Sequence, residues 1–144
     1  MGGNVFVGSD ISEKIFLHVK KTNNQSLPSE TWQKVLFDFV ISDKKGIWDE
    51  ENNQIVIMQK GFYFLVVEIG FYALGTDVRG LVRIMQNANL QSWIGFWAGG
   101  YATMKVQDNC IISASKGDTI YIEARQDSGE DKNITEGQLR LISL

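Results

Sequence analysis

Trp93, Phe96, Trp97 and Tyr101 crowd one short stretch, SWIGFWAGGY, and are the side chains here whose chemistry points most directly at a ligand. Indole and phenol rings stack against sugar faces and dominate the energetics of protein interfaces. The run is also strand-like, so packing in a core or between subunits is the competing use. Trp93, Trp97 and Tyr101 form the candidate ligand-binding set, with a glycan or a protein receptor as partner. Catalysis finds less support. His18 is the only histidine, so neither a histidine pair nor a multi-histidine zinc set can form. On a strand beside Lys20 it reads as a packed or interfacial residue. No G-x-S-x-G, P-loop or G-x-G-x-x-G occurs, and Gly95, Gly99 and Gly100 are spaced for a bend or close packing. The adjacent carboxylates Asp49 and Glu50 are of the kind glycosidases use, but they sit in a polar turn. The chain reads as a non-enzyme.

Two acidic groups raise calcium, which prefers hard oxygen ligands. Asp43, Asp49, Glu50 and Glu51 fall in one loop region, and Asp127, Glu130 and Asp131 in another. Neither has EF-hand spacing, and a solvated loop is the alternative. Calcium is the one cofactor carried forward, with Asp127, Glu130 and Asp131 as candidate ligands. Cys110 is the only cysteine, which excludes an intrachain disulfide and suits a small buried hydrophobe.

These residues must be held by β-strands. In Gln54–Phe71 (QIVIMQKGFYFLVVEIGF) Tyr63, Leu65, Val67, Ile69 and Phe71 alternate with Phe62, Phe64 and Val66, so both faces of the strand are apolar. A strand in a solitary sandwich needs one apolar face, with polar groups toward water. The second face needs cover from a loop of the same chain or from a second copy. Further strand patterns fall at Ile15–Lys20, Trp32–Ile41, Val78–Gln86, Leu90–Trp97, Tyr101–Val106, Cys110–Ser115, Thr119–Arg125 and Gln138–Leu144. The polar run Asp127–Glu136 reads as a long loop, and Trp32 and Trp48 as packing at the sandwich ends. No segment sustains a helical period. Fourteen glycines against one proline suit many strands joined by short turns. The expectation is one all-β domain over residues 1–144, a sandwich of about ten strands with residues 1–13 as a loose N-terminal segment.

Composition narrows the partners. The net charge is −3 and no basic run exceeds two residues, so a nucleic-acid footprint is missing. No apolar segment reaches the roughly 18–20 residues a membrane-spanning helix needs. MGGNVFVGSD has neither the positive region nor the apolar run of a signal peptide. Export by another route and an excised domain are both open.

Read in order, the strands resemble the C1q/tumour-necrosis-factor-like globular domain. VLFDFVISDKKGIWDEENNQIVIMQKGFYFLV is similar to its signature block through Phe37, Asp38, Val40, Gly46, Trp48, Asp49, Gly61 and Tyr63. KGDTIYI matches the family's Gly-Asp strand through Gly117, Asp118, Ile120 and Ile122, and EGQLRL stands at its closing strand. Leu65 replaces a usual Phe, Thr135 stands where the last Phe would be, and Gln138 and Arg140 interrupt the apolar ending. The lysine-, asparagine- and isoleucine-rich composition points to a bacterial or phage type.

The resemblance implies a ten-stranded jelly roll that packs as a homotrimer. It places the face of Phe62, Phe64 and Val66 and the face of Leu139 and Leu141 along the three-fold axis, with Tyr63 and Leu65 inside the sandwich. The function it implies is a non-enzymatic trimeric recognition or adhesion head. Such a head is displayed outside the cell, on a fibre, spike, spore, cell or virion surface, and binds a cell-surface protein or glycan multivalently. Two other readings stay open: a structural trimerisation knob capping a fibrous stalk, and a monomeric carbohydrate-binding sandwich.

Overall fold

A computed structural model describes residues 14–100 and 102–144; the expected loose segment 1–13 lies outside them. The strands are β1 (Phe16–Lys21), β2 (Gln25–Leu27), β3 (Gln33–Lys34), β4 (Phe39–Asp43), β5 (Trp48–Asp49), β6 (Gln54–Val56), β7 (Gly61–Tyr72), β8 (Gly75–Gln86), β9 (Asn89–Gly100), β10 (Met104–Ala114), β11 (Thr119–Gln126) and β12 (Lys132–Ser143). They form two antiparallel sheets. The first runs β10-β7-β12-β1-β4 with β2 added on β12, and the second β5-β6-β11-β8-β9 with β3 added on β11. No helix occurs among the described residues, so none there is long and apolar enough to cross a membrane. The chain is an all-β jelly-roll sandwich.

Alternation builds the core. On β7 the side chains of Tyr63, Leu65, Val67, Ile69 and Phe71 are buried, and from the second sheet Val82, Ile84, Ile120, Ile122 and Ala124 meet them. The Tyr63 hydroxyl donates to the carbonyl of Gln59, which satisfies its polar end inside the apolar layer. Strand β12 lies beside β7 with Leu139 opposite Val67 and Leu141 opposite Leu65. Residues directly opposite in a ladder project to the same side. Leu139 and Leu141 are accordingly 0% exposed within one protomer. The expectation that they line an intersubunit axis is corrected: they belong to the sandwich interior, and Arg140 and Ile142 occupy the outer side of β12.

Three element boundaries also differ from expectation. Trp32–Ile41 is not one strand, because it crosses between the sheets. Its start, β3, pairs with β11 and its end, β4, pairs with β1. Between them Val35 and Phe37 stay buried, held by backbone hydrogen bonds to the Ile122 carbonyl and the Asn53 side chain. The crossing leaves Phe39 exposed. The supposed strands ending at Val106 and starting at Cys110 are joined in one long β10, Met104–Ala114. Likewise, β12 starts at Lys132, inside the run read as loop, where Lys132 and Asn133 pair with Leu27 and Ser26 of β2.

Short turns carry the unusual backbone. Asn87 and Ala88 both have positive φ, 49° and 68°, as a two-residue hairpin between right-twisted strands demands. At the turn that carries the chain from β10 to β11 in the other sheet, Gly117 takes φ 93°, and the Asp118 carboxylate accepts from the Ser115 amide and from Gln86 and Asn87. Those bonds hold its pKa below the usual carboxylate range.

Packing predicts two stability losses. Leu141→Ala should lower unfolding free energy by about 2–5 kcal/mol, the cost of a buried leucine and its cavity. A Cβ on Gly80 would lie 2.5 Å from the Phe96 ring, which is itself packed on Phe71. Gly80→Ala should therefore cost about 1–3 kcal/mol through overpacking. Urea unfolding checks both.

Candidate assembly face and ligand-binding platform

The outer side of the first sheet carries an apolar row that crosses four strands. Ile111 on β10 lies opposite Phe64 on β7, Phe64 opposite Ile142 on β12, and Ile142 opposite Phe16 on β1. Phe62 extends the row and is 59% exposed; Ile111, Ile142 and Phe16 are exposed as well, and Phe64 and Val66 are half-buried. Leu144, whose amide bonds to the Phe62 carbonyl, adds another exposed apolar side chain at that end. Farther along the same sheet the rows turn polar. His18 lies opposite Arg140, and its ring bonds to Gln138 at 3.0 Å. The ring also sits edge-on to Phe16 at 6.5 Å. Contiguous apolar surface of this kind is unusual on a solitary protein and marks an interaction site.

A second apolar surface lies where the two sheets end. Strand β9 is a sheet edge with β8 as its one ladder partner, and it is unusually long for an edge. Long unpaired edges recruit other chains unless charged, broken or covered. Ile94, on the inward side of β9, is exposed because the sandwich opens there, and Leu90, opposite Met85 on the outward side, is exposed as well. Ser92 spans the opening to β10 by donating to Asp108, at 3.0 and 2.8 Å to its two carboxylate oxygens. Cys110 packs on the core beside this edge, and burial pushes its thiol up to about 11, with help from the Asp108 charge. That thiol is unreactive at neutral pH.

The outward side of β9 holds the aromatic pair. Trp93 and Trp97 are 59% and 66% exposed and flank Gly95. Tyr101, the third member of the expected set, lies outside the described residues. Behind the two rings the outer face of the second sheet is a grid of cations, carboxylates and rings. Trp93 lies opposite Arg83, Arg83 opposite Glu123, and Glu123 opposite Lys34. Arg83 bonds Glu123 at 2.7 Å and carries the Trp32 ring 4.0 Å from its guanidinium. Trp97 lies opposite Arg79, 5.9 Å from ring to guanidinium, and Arg79 and Arg125 both grip Asp127. Lys34 sits over Tyr121 at 4.6 Å. Trp32 is thus part of this outer face rather than packing for a sandwich end, whereas Trp48 does pack edge-on against buried Phe37.

The geometry does not favour the proposed calcium ligands. Asp127 spends both oxygens on arginines, Glu130 pairs with Lys132 at 2.9 Å, and no metal-holding group of three acidic, histidine or cysteine side chains occurs among the described residues. In the Val78–Gln86 strand pattern, alternation puts Arg79, Leu81, Arg83 and Met85 on one side. The missing signal was that this side faces outward and meets Glu123 and Asp127.

Partial burial pushes the Asp127 carboxyl up, but hydrogen bonds and charge from Arg125 and Arg79 outweigh it and hold the pKa below the ordinary value. A depressed pKa in the folded state stabilises the fold above the ordinary carboxylate range. That contribution is lost as pH falls below about 4 toward the depressed value. Asp127→Asn should flatten this acid limb, by about 1 kcal/mol or less because the arginines are partly solvated. Thermal melts across pH 2–6 (roughly the range of carboxylate titration) check it.

No protein-family model and no curated protein sequence matches the chain. Solved structures do. The globular domain of the zebrafish complement 1qA protein aligns with a TM-score of 0.72 at 16% identity, covering 92% of this chain and 98% of that one. Murine APRIL aligns with a TM-score of 0.68 at 14% identity, covering 92% and 100%. Eiger TNF from S. frugiperda aligns with a TM-score of 0.67 at 11% identity, covering 91% and 92%. With two antiparallel sheets in this order and these likenesses over nearly its whole length, the chain has the C1q/TNF-like fold.

Proposed function

We propose that the chain is a single-domain, non-enzymatic recognition head that works as a homotrimer. It would be displayed on a fibre, spike, spore, cell or virion surface and bind a protein or glycan on another surface. One observation carries the reading: a protomer exposes two different apolar surfaces, the Ile111–Phe64–Ile142–Phe16 face and the β9 edge with Leu90 and Ile94.

A flat face and a narrow edge fit each other better than either fits itself. Edge-on-face contact between copies is heterologous, and such contacts close into rings when the rotation allows. The C1q/TNF-like fold supports three as the number. Burying one such side chain is worth roughly 1.5–3 kcal/mol, so several per protomer sustain a stable assembly. Three identical heads on one rigid body raise avidity for a repetitive surface by about 10²–10⁴ where geometry permits simultaneous contact.

Sedimentation equilibrium should give a mass near three chains that persists on dilution. Phe64→Asp on the face and Ile94→Asp on the edge should each yield folded monomer by circular dichroism. A wild-type monomer, or variants that both remain trimeric, would sink the assembly as drawn.

A further inference from the structure

The outer face of the second sheet has a composition that selects among ligands. Trp93 and Trp97 are four residues apart on β9, about 13 Å along the strand backbone. Gly95 lies between them, and a Cβ there would come within 3.2 Å of Leu81 and 3.4 Å of the Trp93 ring. The glycine keeps the gap between the rings low, with Leu81 as its floor. Two exposed aromatic plates, with the Trp93 ring reaching over Gly95 above Leu81, offer flat surfaces of the kind that stack on the apolar C–H faces of a sugar chain.

The polar groups next to the rings add charge. Lys34, Arg79, Arg83 and Arg125 share this face with Glu123 and Asp127, with Asp77 at the register break where β8 begins, and with Asp49 at the β5 end, so the ligand is selected by how the arginines are held and not by net charge. Arg79 and Arg83 each use Nε and Nη2 on a carboxylate, which fixes the guanidinium planes and leaves Nη1 as a donor. A preorganised arginine donor beside an aromatic ring recognises a carboxylate on a sugar without paying to order the side chain.

We propose that the face bounded by Trp93, Trp97, Arg79 and Arg83 binds a carboxylated polysaccharide, the rings stacking on pyranose faces and the arginines pairing with the sugar carboxylates. This names the ligand class of the recognition head and rests on that reading for its multivalent use, while the site itself is complete within one protomer.

The test titrates the whole chain with a panel of uronate- and sialate-containing oligosaccharides and their carboxyl-reduced counterparts, by tryptophan fluorescence and calorimetry, with mass measured alongside. Binding of a carboxylated member, weakened about tenfold or more on carboxyl reduction, is expected. Trp93→Ala and Trp97→Ala should each weaken it about tenfold with unchanged mass and circular dichroism. Arg79→Gln should narrow the gap between acidic and reduced ligands. Absence of binding across the panel, equal binding of reduced ligands, or a change of mass in the tryptophan variants would overturn the proposal. A monomer that binds these sugars overturns the assembly and keeps this site; a trimer that binds none does the reverse.

Discussion

Strand β7 pairs along almost its entire length with β10 on one side and β12 on the other, and its inward side chains form the centre of the core. That double ladder decides which side chains face in and which face out on three strands at once. A shift of one residue in either register would send Leu65 and Val67 outward and Phe62 and Phe64 inward. The alternation is therefore locked by burial, since the inward set carries the larger apolar contact. Everything on the outer face of the first sheet inherits its position from that choice.

The consequence is a protomer with more apolar surface than a single sandwich can use. Phe62, Phe64, Ile111, Ile142 and Phe16 are brought into one row by cross-strand pairing although they come from four separate strands. At the far end of the second sheet, β9 has no ladder partner beyond β8 among the described residues, and the sandwich opens beside it. Natural sheets blunt such edges with charge, proline or bulges. The middle of β9, Trp93–Trp97, has none of these; its register break falls near its start and another near its end. Face and edge are the two surfaces joined in the proposed assembly.

The second sheet solves a different problem. Its outer face is wet, yet Leu81 and Met85 on that face are nearly buried. The surrounding arginines lie flat because carboxylates hold them from one side, Glu123 on Arg83 and Asp127 on Arg79 and Arg125. A guanidinium held in this way also offers a plane for an aromatic ring, as Trp32 on Arg83 demonstrates. The result is a rigid polar-aromatic surface, the kind of platform that loses little entropy on meeting a ligand.

Local pattern was enough for the strand class, the doubly apolar β7 and the order of motifs that resembles the C1q/TNF-like domain, because period-two alternation and turn residues act over neighbours in sequence; that Tyr63 and Leu65 turn inward came from the resemblance, since both faces of β7 are apolar. Local periodicity could not correct the axial place that the resemblance implied for Leu139 and Leu141, since which side of β12 turns inward depends on its register against β7, a partner about 70 residues away in the chain and beyond its reach. It likewise read Trp32–Ile41 as one strand, because only the second sheet, packed against it, shows that the segment crosses from β11 to β1. The aromatic pair Trp93 and Trp97 was visible from type and spacing. Its setting among Arg79, Arg83, Glu123 and Asp127 was decided by tertiary structure alone, for strand pairing is what sets charges from distant segments side by side.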